Sequence, residues 1–173
     1  MSTARPADLS VLVSCHGFAL AIPIKRVVRL LTYDDLAESP ELPRRAPNEP
    51  RGVVKASGQL YAHWDLETLM DLPPLRASWM LLRIPHAGTE VPVALSTGPC
   101  RIVHALGALT PLPPGAFQAR RSAIWAAFAA PPTPDGRTSP VGLCIDLLRL
   151  WSSAELERSA AQVFTARAAV PVR

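Results

Sequence analysis

The chain has 173 residues, enough for one domain or two small intertwined ones, and its 49% hydrophobic and 18% charged composition excludes a disordered chain. Nineteen prolines exclude a long helical bundle and favour short strands joined by stiff turns. The net charge of +4, from 18 basic and 14 acidic residues, is spread along the sequence. A nucleic-acid binder would more often gather its charge on one element and interleave aromatics, so none is expected as a partner.

Residues 1–8 read as a flexible leader without the apolar stretch of a signal peptide. "LSVLVSC" alternates like a strand, "HG" is a tight turn and "FALAI" is the return strand. Pro23 ends that strand or marks an edge position. In "IKRVVRLLTY" the apolar Val27, Val28, Leu30 and Leu31 fit another strand or a short helical turn. The polar, four-proline run "DDLAESPELPRRAPNEP" is loop. "GVVKASGQLYAHWDL" is a hairpin about Ser57-Gly58, and a helical turn follows over Leu66 to Leu72 with Asp65 available to cap it. "SWMLLRI", "PHAGT" and "EVPVALS" make a further hairpin. "SAIWAAFAA" is a strand or a buried helical piece, and "VGLCIDLLRLW" pairs back after a loop around Asp135-Gly136. From Ala154 to Ala168 good helix formers predict a C-terminal helix packed through Leu156, Val163 and Phe164. The residues therefore indicate a mainly β protein, as small barrels or a sandwich. "GQLYAHWDLETLM" and "GLCIDLLRLW" echo each other, each a strand followed by Asp-Leu and a helical end, and hint at two related subdomains.

Little in the sequence asks for catalysis. The histidines His16, His63, His86 and His104 make no metal-ligand pattern, and His63 is only a same-face neighbour of Asp65. No phosphate-binding glycine loop and no nucleophile elbow occurs. Cys15, Cys100 and Cys144 are far apart and odd in number, which predicts reduced structural thiols. No apolar run approaches the roughly 20 residues that span a bilayer, so no direct membrane insertion is expected. The expected location is the cytoplasm, with recruitment to a membrane or polar receptor array only through partners. Neither a cofactor nor a metal is called for.

The order of "GFALAIPIKRVVRLL", a proline-rich loop, "GVVKASGQLYAHWDLETLMDLP", a hairpin and a final "GLCIDLLRLW" resembles the CheW-like coupling domain of bacterial chemosensory systems. Phe18, Ile22, Ile24, Val27 and Leu30 fit the first block of that family. Gly52, Val53, Val54, Gly58, Leu60, Tyr61, Trp64, Asp65 and Leu66 fit the second. The similarity spans about residues 9–152 and rests on the order and spacing of short apolar motifs together.

The resemblance implies two intertwined, five-stranded SH3-like barrels over residues 9–152 that share one core, with a short C-terminal helix and tail at 153–173. It implies no catalysis. Such domains bind the regulatory CheW-like domain of a histidine kinase and the cytoplasmic tip of a chemoreceptor. The partner-binding residues it points to are Ile24, Val27, Arg29, Gly52, Lys55, Ser57, Gly58 and Asp65. Four positions depart from the family pattern. Arg29 stands where an acidic residue is usual, Ser57 where an arginine is, Lys55 where an asparagine is and Ala62 where a proline is. An interface rejects a partner whose charge has been reversed against it. The function expected first is a non-enzymatic adaptor coupling a chemoreceptor-type protein to a histidine kinase. Close behind is the same fold serving another pathway such as motility or polarity. A small nucleic-acid-binding barrel comes last.

Overall fold

The computed structural model describes residues 9–36, 48–104, 106–131 and 141–169. The expected leader, the stretch 37–47 of the proline-rich loop and the Asp135-Gly136 loop lie outside them. In chain order the strands are β1 (Ser10–Cys15), β2 (Phe18–Pro23), β3 (Val27–Thr32), β4 (Gly52–Ala56), β5 (Gln59–Asp65), β6 (Ser78–His86), β7 (Thr89–Thr97), β8 (Cys100–Val103), β9 (Thr110–Pro111), β10 (Ile124–Phe128) and β11 (Gly142–Ile145). Two α-helices accompany them among the described residues, α1 (Leu66–Leu69) and α2 (Ser153–Ala168).

Three hairpins turn at the dipeptides His16-Gly17, Ser57-Gly58 and Ala87-Gly88, with φ of +39° and +91°, +47° and +78°, and +48° and +76°. Positive φ at both central residues is the two-residue turn whose twist matches the flanking strands, and glycine in the second place makes it accessible. Prolines sit where the ladder tolerates them. Pro23 is the last residue of β2, while Pro85 of β6 lies beyond its pairing with β3 and Pro92 of β7 beyond its pairing with β5.

The chain forms two compact units. One combines 1–25 with 98–150, the other 26–97 with 151–173. In the first unit the strand order is β8-β1-β2-β11-β10-β9; in the second it is β3-β6-β7-β5-β4. Each contains one parallel pair, β2 with β11 and β5 with β7, between antiparallel hairpins. Setting the two-residue β9 aside, the sheets have the same layout: an edge strand, a hairpin, and a second hairpin joined in parallel to the first. One sheet is thus six-stranded, not five, because β9 adds to the edge of β10. The echo of "HWDLETLM" and "CIDLLRLW" marks the equivalent strands β5 and β11, each the parallel partner in its sheet.

Both sheets are curled. In the second unit Val54 and Ala56 of β4 and Leu31 of β3 pack in one cluster with Leu36, Tyr61, Trp79, Leu81 and Ala94. Strands at opposite edges of a five-stranded sheet share a core only if the sheet closes on itself. Tyr33 stacks on Trp79 at 5.0 Å and its carbonyl accepts from the Trp79 indole at 2.9 Å, which ties the end of β3 to that core. In the first unit Val103 of β8 meets Leu12, Ala21, Ala126, Phe128 and Cys144 in the same manner. Gly142 lies under the Phe128 ring, where a Cβ would fall 2.2 Å from it. Burial pushes the Cys144 thiol up to about 11, so it stays protonated and inert.

Helix α2 belongs to the second unit and packs on β5, β7 and β4. Its start is a reciprocal cap: Ser152 Oγ accepts from the Glu155 N–H at 3.3 Å and the Glu155 carboxylate accepts from the Ser152 N–H at 2.8 Å. Leu156, Ser159 and Val163 form its buried face. Burying Leu156 and Val163 contributes roughly 1.5–3 kcal/mol each, and Trp64 Nε1 donates to Ser159 Oγ at 3.1 Å. Trp64 also meets Trp151 edge to face at 6.4 Å. One expectation fails here. Phe164 does not pack on the barrel; it is 74% exposed, because it falls on the helix face opposite Ser159.

A second correction concerns α1. Asp65 stands at its N-cap position but its side chain makes no capping bond. The carboxylate turns into the unit and is held by other partners, described next.

Candidate functional site

The basic-and-apolar stretch after Pro23 becomes a short three-ten turn, Ile24–Arg26, and then the edge strand β3. β3 pairs only with β6 among the described strands. Its register skips: Val27 opposes Leu82 and Arg29 opposes Leu81, so Val28 is the extra residue of a β-bulge. The bulge twists Val28 outward to 54% exposure, and Val27, Leu30 and Leu31 are half-buried. Val27, Val28, Leu30 and Leu31 cannot all face a core in one strand, and the bulge resolves the conflict by presenting one of them.

Arg29 is exposed, and its Nη1 donates to Ser57 Oγ at 2.9 Å. Ser57 is the left-handed residue of the β4–β5 turn. The contact therefore reaches from β3 to the tip of the hairpin on the far side of the sheet, across the open seam of the barrel. Two of the residues that depart from the family pattern are thus each other's partner. Asp35 follows β3: hydrogen bonds from the Thr32 side chain and from its N–H, at 2.9 Å, with the charge of Arg29, hold this exposed carboxyl below the usual range.

Seven of the eight residues expected at a partner site lie in the second unit, where they fall at two places. Val27, Arg29, Ser57 and Gly58 gather at the seam, and Lys55 is exposed on β4 one residue from Ala56 and the turn. Gly52 is buried where β4 pairs with His63. Asp65 lies two residues past His63, so both are at the opposite end of the hairpin, roughly 17–20 Å from the turn at strand rise. The eighth, Ile24, lies in the first unit's stretch of chain, half-buried in the three-ten turn Ile24–Arg26.

Asp65 is 2% exposed. Arg51 Nη1 and Ser96 Oγ donate to its two carboxylate oxygens, His63 Nε2 lies 3.5 Å away and Arg76 Nε 3.7 Å away. Burial pushes its pKa up. The hydrogen bonds of His63 and Ser96, with the charges of His63 and Arg51, outweigh that and hold it well below the usual carboxylate range. Sequence reading missed Arg51, Arg76 and Ser96; only the His63-x-Asp65 spacing signalled a shared face.

A serine, a histidine and an aspartate in contact raise the question of nucleophilic catalysis. The geometry answers it. Ser96 Oγ approaches His63 Nε2 at 3.0 Å, the same nitrogen that faces Asp65. A relay needs the acid on one ring nitrogen and the nucleophile on the other. All three residues are also buried, at 8% exposure or less. The cluster is a polar pin between β5 and β7. Among the described residues no group of three or more His, Cys, Asp or Glu is placed to hold a metal ion, and no helix is long and apolar enough to cross a membrane.

Two curled sheets of like layout, with one appended helix, define the paired SH3-like barrels of a CheW-like fold. A solved structure that shares it is the scaffolding protein TtCheW from Thermoanaerobacter tengcongensis: TM-score 0.56, 14% identity, over 88% of this chain and 93% of that one. At that identity the likeness shows the fold. No family model matches the sequence, and no curated protein does.

Proposed function

We propose that the protein is a non-enzymatic scaffold that couples a chemoreceptor-type protein to a histidine kinase by docking on its barrels. The observation that carries this reading is the near-complete two-way coverage of a CheW scaffolding structure. The β3 edge adds a physical basis: an apolar Val28 raised by a bulge, beside an arginine held in place by the neighbouring turn. An aromatic or aliphatic anchor with a fixed arginine at its rim is the chemistry of a protein-docking edge. On this reading Val27, Arg29, Lys55, Ser57 and Gly58 contact the partner. Gly52 and Asp65 act from inside by fixing the hairpin, and residues 9–152 are the coupling domain with 153–173 as its helix and tail.

A second reading keeps the fold and changes the partner, and the Arg29–Ser57 contact favours it. The family's acid and arginine at these positions are replaced by an arginine and a serine that bond to each other. The edge reverses the charge expected at position 29 and ties the new arginine to Ser57. A partner evolved against an acidic edge would meet a cation.

The test is co-purification of the chain with the regulatory domain of each histidine kinase from its own genome, with wild type beside Val28→Glu and Arg29→Glu. Retention of one kinase domain, lost in Val28→Glu and altered in Arg29→Glu, supports coupling. If no kinase domain or receptor tip is retained at any concentration tried, the coupling reading is wrong and the second takes its place.

A further inference from the structure

The outer face of α2 is a feature that the docking edge does not use. Nine of its positions, Ser153, Ala154, Glu157, Ala160, Ala161, Phe164, Thr165, Arg167 and Ala168, are exposed. At 100° per residue they fall on one side of the helix, within about 160° of arc. Buried Glu155, Leu156, Ser159 and Val163 occupy the other side. Phe164, at 74% exposure, is the most exposed large apolar side chain among the described residues. It stands in the middle of a flat surface of alanines, with an acid near the helix start and a base near its end.

We infer that this face pairs with the same face of a second copy, the two α2 helices running antiparallel about a two-fold axis near residue 162. The charges select that register. Glu157 and Arg167 lie five residues to either side of the axis, so each Glu157 comes opposite the other copy's Arg167. Phe164 then comes opposite Ala160 of the second copy, with Ala161 beside it, and small residues there let an aromatic knob enter. A parallel pairing would set Glu157 against Glu157 and Arg167 against Arg167. Glu157 is also 3.7 Å from His86 and its side chain remains 67% exposed, which leaves it open to a second partner. A two-fold pair of this kind closes on itself and does not propagate into fibres.

A helix of this length is about 24 Å long. Two of them bury less than the roughly 1,200 Å² typical of a stable interface, so the pair forms reversibly, at about 10–500 µM. Such a contact would cross-link scaffolds held at high local concentration and leave dilute protein monomeric.

Sedimentation equilibrium of the full chain from about 10 µM to 1 mM tests it. The expected result is a reversible monomer–dimer equilibrium that Phe164→Glu abolishes without a change in melting temperature. Glu157→Arg or Arg167→Glu alone weakens it about tenfold, and the two together restore it, because the charges are exchanged and still opposite. Monomer throughout overturns the proposal, as does a dimer indifferent to Phe164→Glu. Single reversals that weaken association without rescue by the double variant overturn the antiparallel register. None of these outcomes bears on kinase-domain retention, so the scaffold reading stands or falls separately.

Discussion

Asp65 holds its charge where only its neighbours can stabilise it, and acid is the means of removing it. Its folded pKa is depressed, so its contribution is complete above the unfolded value near 3.9 and is lost as pH falls below that. We expect a stability loss that sets in below about pH 4, read by denaturant titration across pH. Asp65→Asn should flatten that acid limb and cost about 2–3 kcal/mol at pH 7, since Arg51, Ser96 and His63 lose a charged acceptor. A variant whose acid limb matches wild type would show that another carboxylate controls it. Ala87 offers the opposite case. It sits at φ +48° in the β6–β7 turn, where an L-residue without a polar side chain is strained. Ala87→Asn should raise stability by about 0.5–1 kcal/mol, seen as a higher melting temperature. The turn was legible from "AG", but the role of Asp65 was not. Its donors Arg51 and Ser96 lie 14 and 31 residues away, and strand register brings them together, not local spacing. The sequence offered an N-cap, and the tertiary partners won.

At the scale of elements, the edge strand β3 and the helix α2 show what pattern reading can and cannot reach. The periodicity of α2 was readable to within one residue of its start, and its buried Leu156 and Val163 were identified. Phe164 was misplaced because an apolar residue counts toward a stripe in a sequence whether or not a surface waits for it. Ser152 fixes the helix start. Ser152→Ala should cost about 1 kcal/mol by chemical denaturation, since the Glu155 N–H loses its acceptor. A loss under a few tenths would mean that packing of Trp151 and Leu156 alone sets the boundary. In β3 the sequence could not decide between strand and helical turn. The bulge explains why: one inserted residue breaks the alternation that identifies a strand. A bulge with an arginine beside it is also how an open edge avoids pairing with another edge. Arg29→Val should therefore make the protein aggregate as concentration rises, measured by light scattering, with its melting temperature little changed.

For the whole molecule, hairpins, turns and mainly β character could be read along the chain because they are local. The order of strands could not, since neither sheet follows chain order and one of them draws on two separated stretches. The second unit's sheet is complete within residues 27–97. The first unit's sheet must bring Leu20 of β2 beside Leu143 of β11, with the whole of the other sheet in between. Closing a long loop is slow because its entropy is spent before the contacts form. In refolding followed by pulsed hydrogen exchange, amides of β6 and β7 should gain protection before those of β2 and β11. Simultaneous protection of all four would contradict this order.

The layout of the strands carries one more consequence. Read along the chain, a hairpin, an edge strand and a hairpin ending in Asp-Leu occur twice: β1–β2, β3 and β4–β5, then β6–β7, β8 and β10–β11. Each barrel takes the first hairpin from one copy of this pattern and the rest from the other. The chain is arranged as a tandem duplication whose halves have exchanged their leading hairpins. A single half holds every strand a barrel needs, yet here neither closes one from its own strands. Two such halves on separate chains would reproduce the same exchange as a swapped dimer, and the covalent link between them turns that dimer into one molecule whose two edges are free to diverge.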